Sequence, residues 1–166
     1  MVCMGNICRS PTAEGVLRER LRRAGLQQRV AVDSAGTLDH HAGEAPDPRA
    51  QRHAAQRGYD LSNQRARAVL PEDFTRFHWL LAMDEDNLAW LQRKAPPGHT
   101  ARIGLLMPHA RRHTDQTAVP DPYYGNPAGF ERVLDLVEDA CDGLVETLQR
   151  ELSAGAAGKA TLKQSS

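Results

Sequence analysis

The stretch VCMGNICRSP, residues 2–11, decides how this chain folds. Ser10 is a residue that commonly caps a helix N-terminus, and Pro11 suits the first helical position. After them, apolar residues recur every three or four positions as far as Ala24, which predicts an amphipathic helix that Gly25 ends. The stretch therefore predicts a loop that leads directly into a helix.

Such a loop is suited to binding an anion. The backbone N–H groups of residues 3–9 can converge on one point, where the helix N-terminus adds the positive end of its dipole. Gly5 permits close approach, Asn6 tolerates a left-handed backbone, and Arg9 can bind two oxygens of a tetrahedral oxyanion. The same positive field favours a thiolate at Cys3, which would be a nucleophile for covalent catalysis. The competing interpretation of so short a motif is a buried packing cysteine.

A second stretch, VPDPYYGNP at residues 119–127, offers the partner that such a nucleophile needs. Asp121 lies between two prolines and is a candidate general acid for the leaving group. Tyr123 and Tyr124 are candidates for an aromatic wall against a flat substrate. Without the first stretch, this one would be read as a proline-rich surface turn.

The rest of the chain alternates between short apolar segments and amphipathic helices, which indicates a parallel α/β sheet with its sites at the carboxyl ends of the strands. We predict a short strand that runs into a turn in RVAVDSAG (29–36), and buried strands in HWLLAMD (78–84) and RIGLLM (102–107). Helices are predicted in DPRAQRHAAQRG (47–58), PEDFTRF (71–77), EDNLAWLQRK (85–94) and from Phe130 to Leu152, and residues 107–126 are predicted to be loop.

Composition excludes several classes of protein. The chain has 166 residues and a net charge of zero, which gives no support for binding to nucleic acid or to a membrane surface. It has no apolar run long enough to cross a bilayer and no signal peptide, so we expect a cytoplasmic protein. Three cysteines do not build a disulfide scaffold. We expect one domain over residues 1–152 and a disordered tail over residues 153–166.

Two further features have ordinary interpretations. His109 and His113 have a spacing that suits metal ligands on a helix, but their basic, proline-preceded surroundings favour a solvated loop, so no metal site is predicted. Cys141 falls on the apolar stripe of the last predicted helix and is expected in the core.

The motifs VCMGNICRSPTAEGV, VDSAGT, RAR, MDEDNL and DPYYGN resemble those of the low-molecular-weight protein tyrosine phosphatases, in that family's order, from residue 2 to about residue 150. The resemblance implies a four-stranded parallel sheet flanked by helices, with the phosphate-binding loop at the end of a truncated first strand. It further implies hydrolysis of phosphotyrosine in protein substrates through a cysteinyl-phosphate intermediate, with no metal and no cofactor.

The resemblance also implies roles for individual residues. Cys3 would be the nucleophile, Arg9 would bind the phosphate, and Asp121 would serve first as general acid and then as general base. Ser10 would hydrogen-bond the Cys3 sulfur, and Cys8 would be the second cysteine, able to form a protective disulfide with the nucleophile. The expected substrate-binding residues are Met4, Gly5, Asn6, Ile7, Cys8, Ser10, His40, Tyr123 and Tyr124, and the residues expected to support the loop are Ser34 and Gln64.

Two of these positions depart from the family pattern. Gln64 stands where many members have histidine, so the hydrogen bonds behind Asn6 are expected to differ. His40 stands where the pocket wall is commonly tryptophan or tyrosine, and a smaller polar ring stacks less well on phosphotyrosine.

Three alternatives stay open from the sequence. Arsenate reductases share the fold but need accessible partner cysteines, and none lies between Cys8 and Cys141. Protein arginine phosphatases resemble the pattern too, but they tend to have threonine where this chain has Ile7, and they lack the pair of tyrosines. The third alternative is an inactive phosphate-binding module.

The third alternative arises because only Met1 and Val2 precede Cys3, whereas a buried strand commonly has about five to six residues. Four missing apolar side chains would forfeit about 6–12 kcal/mol, which is comparable to the stability of a whole domain. We therefore expect the natural protein to carry several more apolar residues before Val2.

Overall fold

The computed structural model of the protein describes residues 1–163, and these form an α/β fold built on one parallel sheet. Within them the sheet has four strands, all parallel, in the order β2-β1-β3-β4. The strands are β1 (Val2–Cys3), β2 (Ala35–Gly36), β3 (Trp79–Ala82) and β4 (Arg102–Leu105). The predicted four-stranded parallel sheet, with a short central first strand, is confirmed.

All the predicted helices are present. Helix α1 begins at Arg9, the last residue of the predicted anion-binding loop (residues 3–9, the anion loop below). The Asp47 and Asp84 carboxylates cap α2 and α4 by accepting hydrogen bonds from backbone N–H groups. Gly25 and Gly58 follow α1 and α2 with φ of 71° and 88°, the left-handed conformation that ends many helices. The helices are α1 (Arg9–Arg23), α2 (Pro48–Gln56), α3 (Asp73–Arg76), α4 (Glu85–Lys94) and α5 (Pro127–Lys163).

The sheet separates two apolar layers. Helices α1 and α5 cover one face, where Leu81 of β3 packs among their leucines and valines. Helices α3 and α4 cover the other face, where Leu80 packs with Phe74 and Leu91. Leu80 and Leu81 point to opposite faces because side chains alternate along a strand, and both are nearly fully buried. This explains why the apolar segment around them shows no alternation.

Strand β2 is shorter than the sequence predicts, because only Ala35 and Gly36 of the predicted segment 29–36 are in strand conformation. Their partners are Val2 and Cys3, and the Ala35 N–H donates to the carbonyl of Met1. Residues 30–33 have no strand beside them in the described part of the chain. A strand exists only where a neighbour accepts its backbone hydrogen bonds, so the segment is coil despite its sequence.

Two other boundaries differ from the prediction. The loop at residues 107–126 contains a short 3-10 turn, Met107–His109. Helix α5 continues to Lys163, so the tail predicted to be disordered is helical over 153–163, whereas residues 164–166 lie outside the described part. Alanine is the strongest helix former, and extending an existing helix avoids the cost of nucleation. Among the described residues, no helix combines the length and the hydrophobicity that crossing a bilayer requires.

Candidate active site

The anion loop, residues 3–9, connects the central strand β1 to helix α1 at the carboxyl edge of the sheet. Asn6 has a φ of 57°, which makes it the one non-glycine residue with a left-handed backbone in the described chain. Gly36 of β2 lies so close beneath that a Cβ there would come within 2.7 Å of the Met4 carbonyl oxygen. The loop therefore needs both a tolerant residue at its turn and a residue without a side chain under it.

Cys3 lies at the floor of this loop and is nearly fully buried. Its Sγ is 3.0 Å from Ser10 Oγ, and the backbone N–H of Asn6 donates to the same sulfur at 3.3 Å. This geometry matches the contact between Ser10 and Cys3 that the sequence resemblance implied.

The side chain of Asn6 holds the loop in shape. Its Nδ2 donates to Ser10 Oγ at 2.8 Å and to Ser34 Oγ at 2.9 Å, and its Oδ1 accepts from the backbone N–H of Arg67 at 3.0 Å. Ser34 in turn donates to Glu14 Oε2 at 2.6 Å. Each polar group of the Asn6 amide is therefore paired, which is what a buried side chain of this kind requires.

Gln64 does not take part in this network. Its Nε2 donates to the Pro11 carbonyl at 2.9 Å, in the first turn of α1, and its buried Oε1 has no partner. Asn6 is instead supported by Ser34, which is itself bonded to Glu14, and by the backbone N–H of Arg67. The sequence did not reveal Glu14 because its spacing in α1 is that of an ordinary helix surface position.

The guanidinium of Arg9 is buried and held by three groups. Its Nη1 donates to Asp84 Oδ2 at 2.5 Å and to the Val119 carbonyl at 3.1 Å, whereas Nη2 donates to Asp121 Oδ2 at 3.4 Å. Burial lowers the pKa of Arg9, but Cys3 and the two carboxylates outweigh it, so the pKa lies above the usual value. Arg9 is thus held as a cation beside Cys3.

Sequence reasoning missed Asp84. It is the N-cap of α4, two residues after the end of β3, so it lies at the same edge of the sheet as the anion loop. Asp84 could have been identified as a candidate from this position alone, because the carboxyl ends of parallel strands meet at one edge of the sheet. The carboxylate has two functions, since Oδ1 caps α4 through the Asn87 N–H while Oδ2 orients Arg9.

Asp121 is brought to the site by the loop between β4 and α5. Its side chain is 43% exposed, so one side meets Arg9 and the other meets solvent. The backbone N–H of Tyr123 donates to its Oδ1 at 3.1 Å. Tyr123 and Tyr124 pack edge to face with ring centroids 4.8 Å apart, and Tyr124 is 96% exposed. Asp121 therefore lies beside Arg9, and the exposed pair of tyrosines follows it in the same loop.

The histidine ring that lies beside the anion loop belongs to His41. A Cβ on Gly5 would come within 3.1 Å of His41 Cδ2, and the His41 ring centroid is 6.5 Å from that of Tyr123. His40, the residue expected to line the pocket, is exposed to solvent. Adjacent residues in a loop commonly point in different directions, so the sequence alone could not choose between them.

Arg49 lies between the Tyr123 loop and the anion loop, although it was not among the site residues predicted from the sequence. Its guanidinium lies 5.5 Å from the centroid of the Tyr123 ring and 4.9 Å from that of Phe130. It also forms a bidentate pair with Asp47, whose N–H donates to the Ile7 carbonyl of the anion loop. Arg49 therefore ties the Tyr123 loop to the anion loop.

The loop residues that were predicted to bind substrate differ in what they leave available for that role. Ile7 and Cys8 are buried in a cluster with Phe130, and Met4 is half exposed. Among the described residues, the N–H groups of Gly5, Ile7 and Cys8 have no hydrogen-bond partner. Unpaired N–H groups grouped at a helix N-terminus are the chemistry that binds phosphate.

The three cysteines differ in environment. Burial, with a contribution from Asp47, raises the pKa of Cys8 to about 12, so its thiol stays protonated at neutral pH. Burial raises the pKa of Cys141 to about 12 as well, and its sulfur lies against the Ala13 carbonyl inside the core. Cys141 is therefore not an accessible partner for the thiol relay that an arsenate reductase needs.

The described residues contain no group of three or more histidine, cysteine or acidic side chains placed to hold a metal ion. His109 packs against Trp79, and His113 pairs with Asp139, so the two histidines face different partners.

Comparison with known proteins identifies the family. The family model described as low molecular weight phosphotyrosine protein phosphatase matches residues 1–154. A putative low-molecular-weight protein-tyrosine-phosphatase of Synechocystis is 43% identical over 152 residues, which cover 91% of this chain and 96% of that one. The chain belongs to the low-molecular-weight phosphotyrosine protein phosphatase family.

Solved structures agree with this assignment. A protein tyrosine phosphatase from Entamoeba histolytica superposes with a TM-score of 0.86 and 38% identity, covering 90% of this chain and 95% of that one. A Drosophila arginine phosphatase superposes with a TM-score of 0.82 and 32% identity, covering 89% and 94%. The chain is accordingly a hydrolase of the protein-tyrosine-phosphatase class, and arsenate reduction is not favoured.

Proposed function

We propose that this phosphatase removes the phosphoryl group from phosphotyrosine in proteins, with Cys3, Arg9 and Asp121 as its catalytic residues. One observation carries the proposal: a loop with unpaired N–H groups brings a buried sulfur, a guanidinium and a partly exposed carboxylate together. These are the nucleophile, the oxyanion binder and the proton donor that phosphoryl transfer requires.

In the first step the Cys3 thiolate attacks phosphorus, and the bond between phosphorus and the tyrosine oxygen breaks. Asp121, protonated at this point, donates its proton to the departing phenolate. The loop N–H groups and Arg9 bind the equatorial oxygens, whose charge they neutralise. Asp84 orients Arg9 for this task, because it holds Nη1 and leaves Nη2 directed toward Asp121.

In the second step Asp121, now a carboxylate, accepts a proton from a water molecule that attacks phosphorus. The bond between sulfur and phosphorus breaks, and inorganic phosphate and the Cys3 thiolate are released. Ser10 supports this step, since its hydroxyl lies 3.0 Å from Sγ and stabilises the departing thiolate by hydrogen bonding. The enzyme returns to its starting state without an oxidant, a reductant or a cofactor.

We expect the phenyl ring of the substrate to contact Tyr123, whose ring lies 6.5 Å from that of His41. Tyr123 is half exposed and held by Arg49, so it can stack on an aromatic ring without losing much side-chain entropy. A phosphoarginine side chain is longer and has no aromatic ring, so it gains less from this wall. We expect phosphotyrosine to be the better substrate of the two.

The test is a comparison of phosphotyrosine peptides, phosphoarginine peptides and arsenate with the full chain, alongside Cys3→Ser and Cys141→Ser. Hydrolysis of phosphotyrosine should be fastest and should be abolished in Cys3→Ser, while Cys141→Ser keeps the wild-type rate. Faster turnover of phosphoarginine would overturn the substrate assignment. Activity retained in Cys3→Ser would overturn the mechanism.

A further inference from the structure

Helix α1 contains a buried carboxylate that neither catalytic step uses. Glu14 is 5% exposed and ends a run of buried residues that extends from residue 6 to residue 14. Burying a carboxylate costs free energy unless its oxygens are bonded, so an apolar side chain would be the ordinary residue here. We propose that Glu14 is a positioning residue for the second step, because it sets the direction of the hydrogen bonds that end at the Cys3 sulfur. This inference rests on the function proposed above.

Both oxygens of the Glu14 side chain accept hydrogen bonds. Ser34 Oγ donates to Oε2 at 2.6 Å, and Arg18 Nη2 donates to Oε1 at 2.6 Å. A carboxylate can only accept, so the Ser34 hydroxyl directs its single proton toward Glu14. The lone pairs of the Ser34 oxygen are then left for a donor on the side of the anion loop.

The donor that meets Ser34 is the side-chain amide of Asn6. Its Nδ2 donates to Ser34 Oγ at 2.9 Å and to Ser10 Oγ at 2.8 Å. A hydroxyl that donates to a carboxylate becomes a stronger acceptor, because each hydrogen bond in a chain polarises the next. Glu14 therefore strengthens the hold of Ser34 on this amide. The Arg67 backbone N–H, which donates to Oδ1, favours the same orientation of the amide from its other end.

Ser10 transmits this direction to the nucleophile. Its oxygen already accepts from Asn6, so its proton is available for the Cys3 sulfur at 3.0 Å, while the Ala35 carbonyl lies farther away at 3.5 Å. The sulfur that leaves phosphorus in the second step has no proton and can only accept. The Ser10 proton stabilises the negative charge that develops on it. Glu14 thus acts on this charge without contacting the substrate.

Glu14→Gln tests the direction of these hydrogen bonds with little change in shape. Arg18 only donates, so it favours the oxygen of the introduced amide, whose NH2 group then faces Ser34 and reverses that hydrogen bond. Rapid-quench measurements with p-nitrophenyl phosphate separate the two catalytic steps. The cysteinyl-phosphate should form at the wild-type rate, and its hydrolysis should be about three- to tenfold slower.

A double variant distinguishes hydrogen-bond direction from structural damage. In Glu14→Gln/Arg18→Met the introduced amide is free to turn its oxygen toward Ser34, so hydrolysis of the intermediate should recover most of the loss, measured against Arg18→Met alone. Glu19→Gln is the matched control on the same helix. Glu19 pairs with surface arginines, and its replacement should leave both rates unchanged.

Two further measurements keep the test independent of a single variant. Ser34→Ala removes the link between Glu14 and Asn6, so it should slow the same step, and Glu14→Gln should add little in that background. The side-chain NH2 resonances of Asn6 in proton–nitrogen correlation spectra report on the amide without any turnover. They should shift in Glu14→Gln and return toward their wild-type positions in the double variant.

The outcomes separate this inference from the proposed function. Unchanged hydrolysis of the intermediate in both Glu14→Gln and Ser34→Ala would overturn the inference alone, as would Asn6 resonances that do not move. Equal slowing of both steps without recovery in the double variant would also overturn it, because that pattern indicates a structural role. Absence of a cysteinyl-phosphate in the wild type would instead overturn the proposed function, and the role of Glu14 in its second step with it.

Discussion

The carboxyl and amino edges of the sheet differ in how many of their polar groups have hydrogen-bond partners. At the carboxyl edge, the side chains of Cys3, Asn6 and Arg9 are connected to α1, α4 and the Asp121 loop by hydrogen bonds. At the amino edge, β1 pairs with β3 only at Val2 and Ala82, and the Met1 ammonium is partly buried against the Asp33 carbonyl. The first edge is organised for chemistry, and we expect the second to affect stability. Substitutions at the two edges should therefore separate these properties.

The largest expected effect is on rate, at the carboxyl edge. Asp121→Asn removes the proton donor, so the rate with phosphotyrosine should fall by about 10²–10⁴-fold. The loss with p-nitrophenyl phosphate should be smaller, because that leaving group needs less help from an acid. Steady-state kinetics on both substrates measure the difference, and thermal melting should be unchanged.

Asp115→Asn is the matched control for this variant. Asp115 is exposed in the same loop and accepts a hydrogen bond from the neighbouring Gln116 side chain. Its replacement should leave both rates as they are. Equal losses on the two substrates in Asp121→Asn would contradict the role of general acid.

Asn6→Ala should affect both properties, because this side chain holds the anion loop. Its loss leaves the buried hydroxyl groups of Ser10 and Ser34 and the Arg67 N–H short of partners, and it places alanine at a φ of 57°. We expect a loss of about 2–4 kcal/mol in the free energy of unfolding and a rate at least about tenfold lower. Urea unfolding and kinetics measure the two effects.

Asn6→Gly serves as the comparison, since glycine tolerates the left-handed backbone but cannot make the hydrogen bonds. It should recover a part of the stability that Asn6→Ala loses and little of the rate. If both variants kept wild-type activity, the hydrogen bonds of Asn6 would not be what holds the loop.

Mild peroxide should inactivate the enzyme reversibly. Peroxide oxidises the Cys3 thiolate to a sulfenic acid, and the Cys8 thiol then attacks that sulfur, releasing water and forming a disulfide that a thiol reductant reopens. Most of the activity should return in the wild type and little in Cys8→Ser, where oxidation continues to the sulfonic acid. Cys141→Ser, altered in the core, is the control that should recover like the wild type.

Mass spectrometry checks this prediction directly. A Cys3–Cys8 linkage should be found in the inactivated wild type. Finding only Cys3 sulfonic acid after mild oxidation would show that Cys8 gives no protection.

The smallest effect is expected at the amino edge, as a dependence of stability on pH. Burial lowers the pKa of the Met1 ammonium below its ordinary value of 8.0, despite the opposing influence of Glu14 and Asp33. The unfolded chain therefore binds the proton more tightly, so this group makes stability rise as the pH increases toward 8.0 and level off above it. The slope contributed is at most about 1.4 kcal/mol per pH unit.

Thermal melts from pH 6 to 9 measure this slope, and acetylation of the N-terminus provides the comparison. The acetylated chain has no ammonium and should lose this part of the slope. A slope unchanged by acetylation would show that another group causes it.

The sequence predicted most of the fold because its signals were local. The helices from α1 to α5 follow from apolar spacing and from caps such as Asp47 and Asp84, and β3 and β4 follow from short apolar runs. Strand β2 was predicted too long, because the pattern of residues 29–36 carries no information about the neighbour that a strand needs. The end of α5 was predicted too early. The small residues after Leu152 were interpreted as a tail, but many of them are alanine, which also favours a helix.

Within the site, the anion loop was predictable and its surroundings were not. Cys3, Arg9 and Ser10 are close in sequence, so the structure of the loop follows from glycine, asparagine and the helix start. Glu14, Asp84 and Arg49 act on that loop from separate elements. Their side chains have ordinary local patterns, so only the packing of the elements reveals what they contact.

By itself, the sequence determined the strand–loop–helix unit and the family, and it led to the proposal of Cys3 as nucleophile, because each depends on residues within about ten positions or on motifs in a given order. The tertiary structure alone decided which carboxylate holds Arg9, which histidine lies beside the anion loop and where the sheet is left unpaired. These are outcomes of long-range contacts, in which residues distant in the chain meet because burying apolar surface brings their elements together.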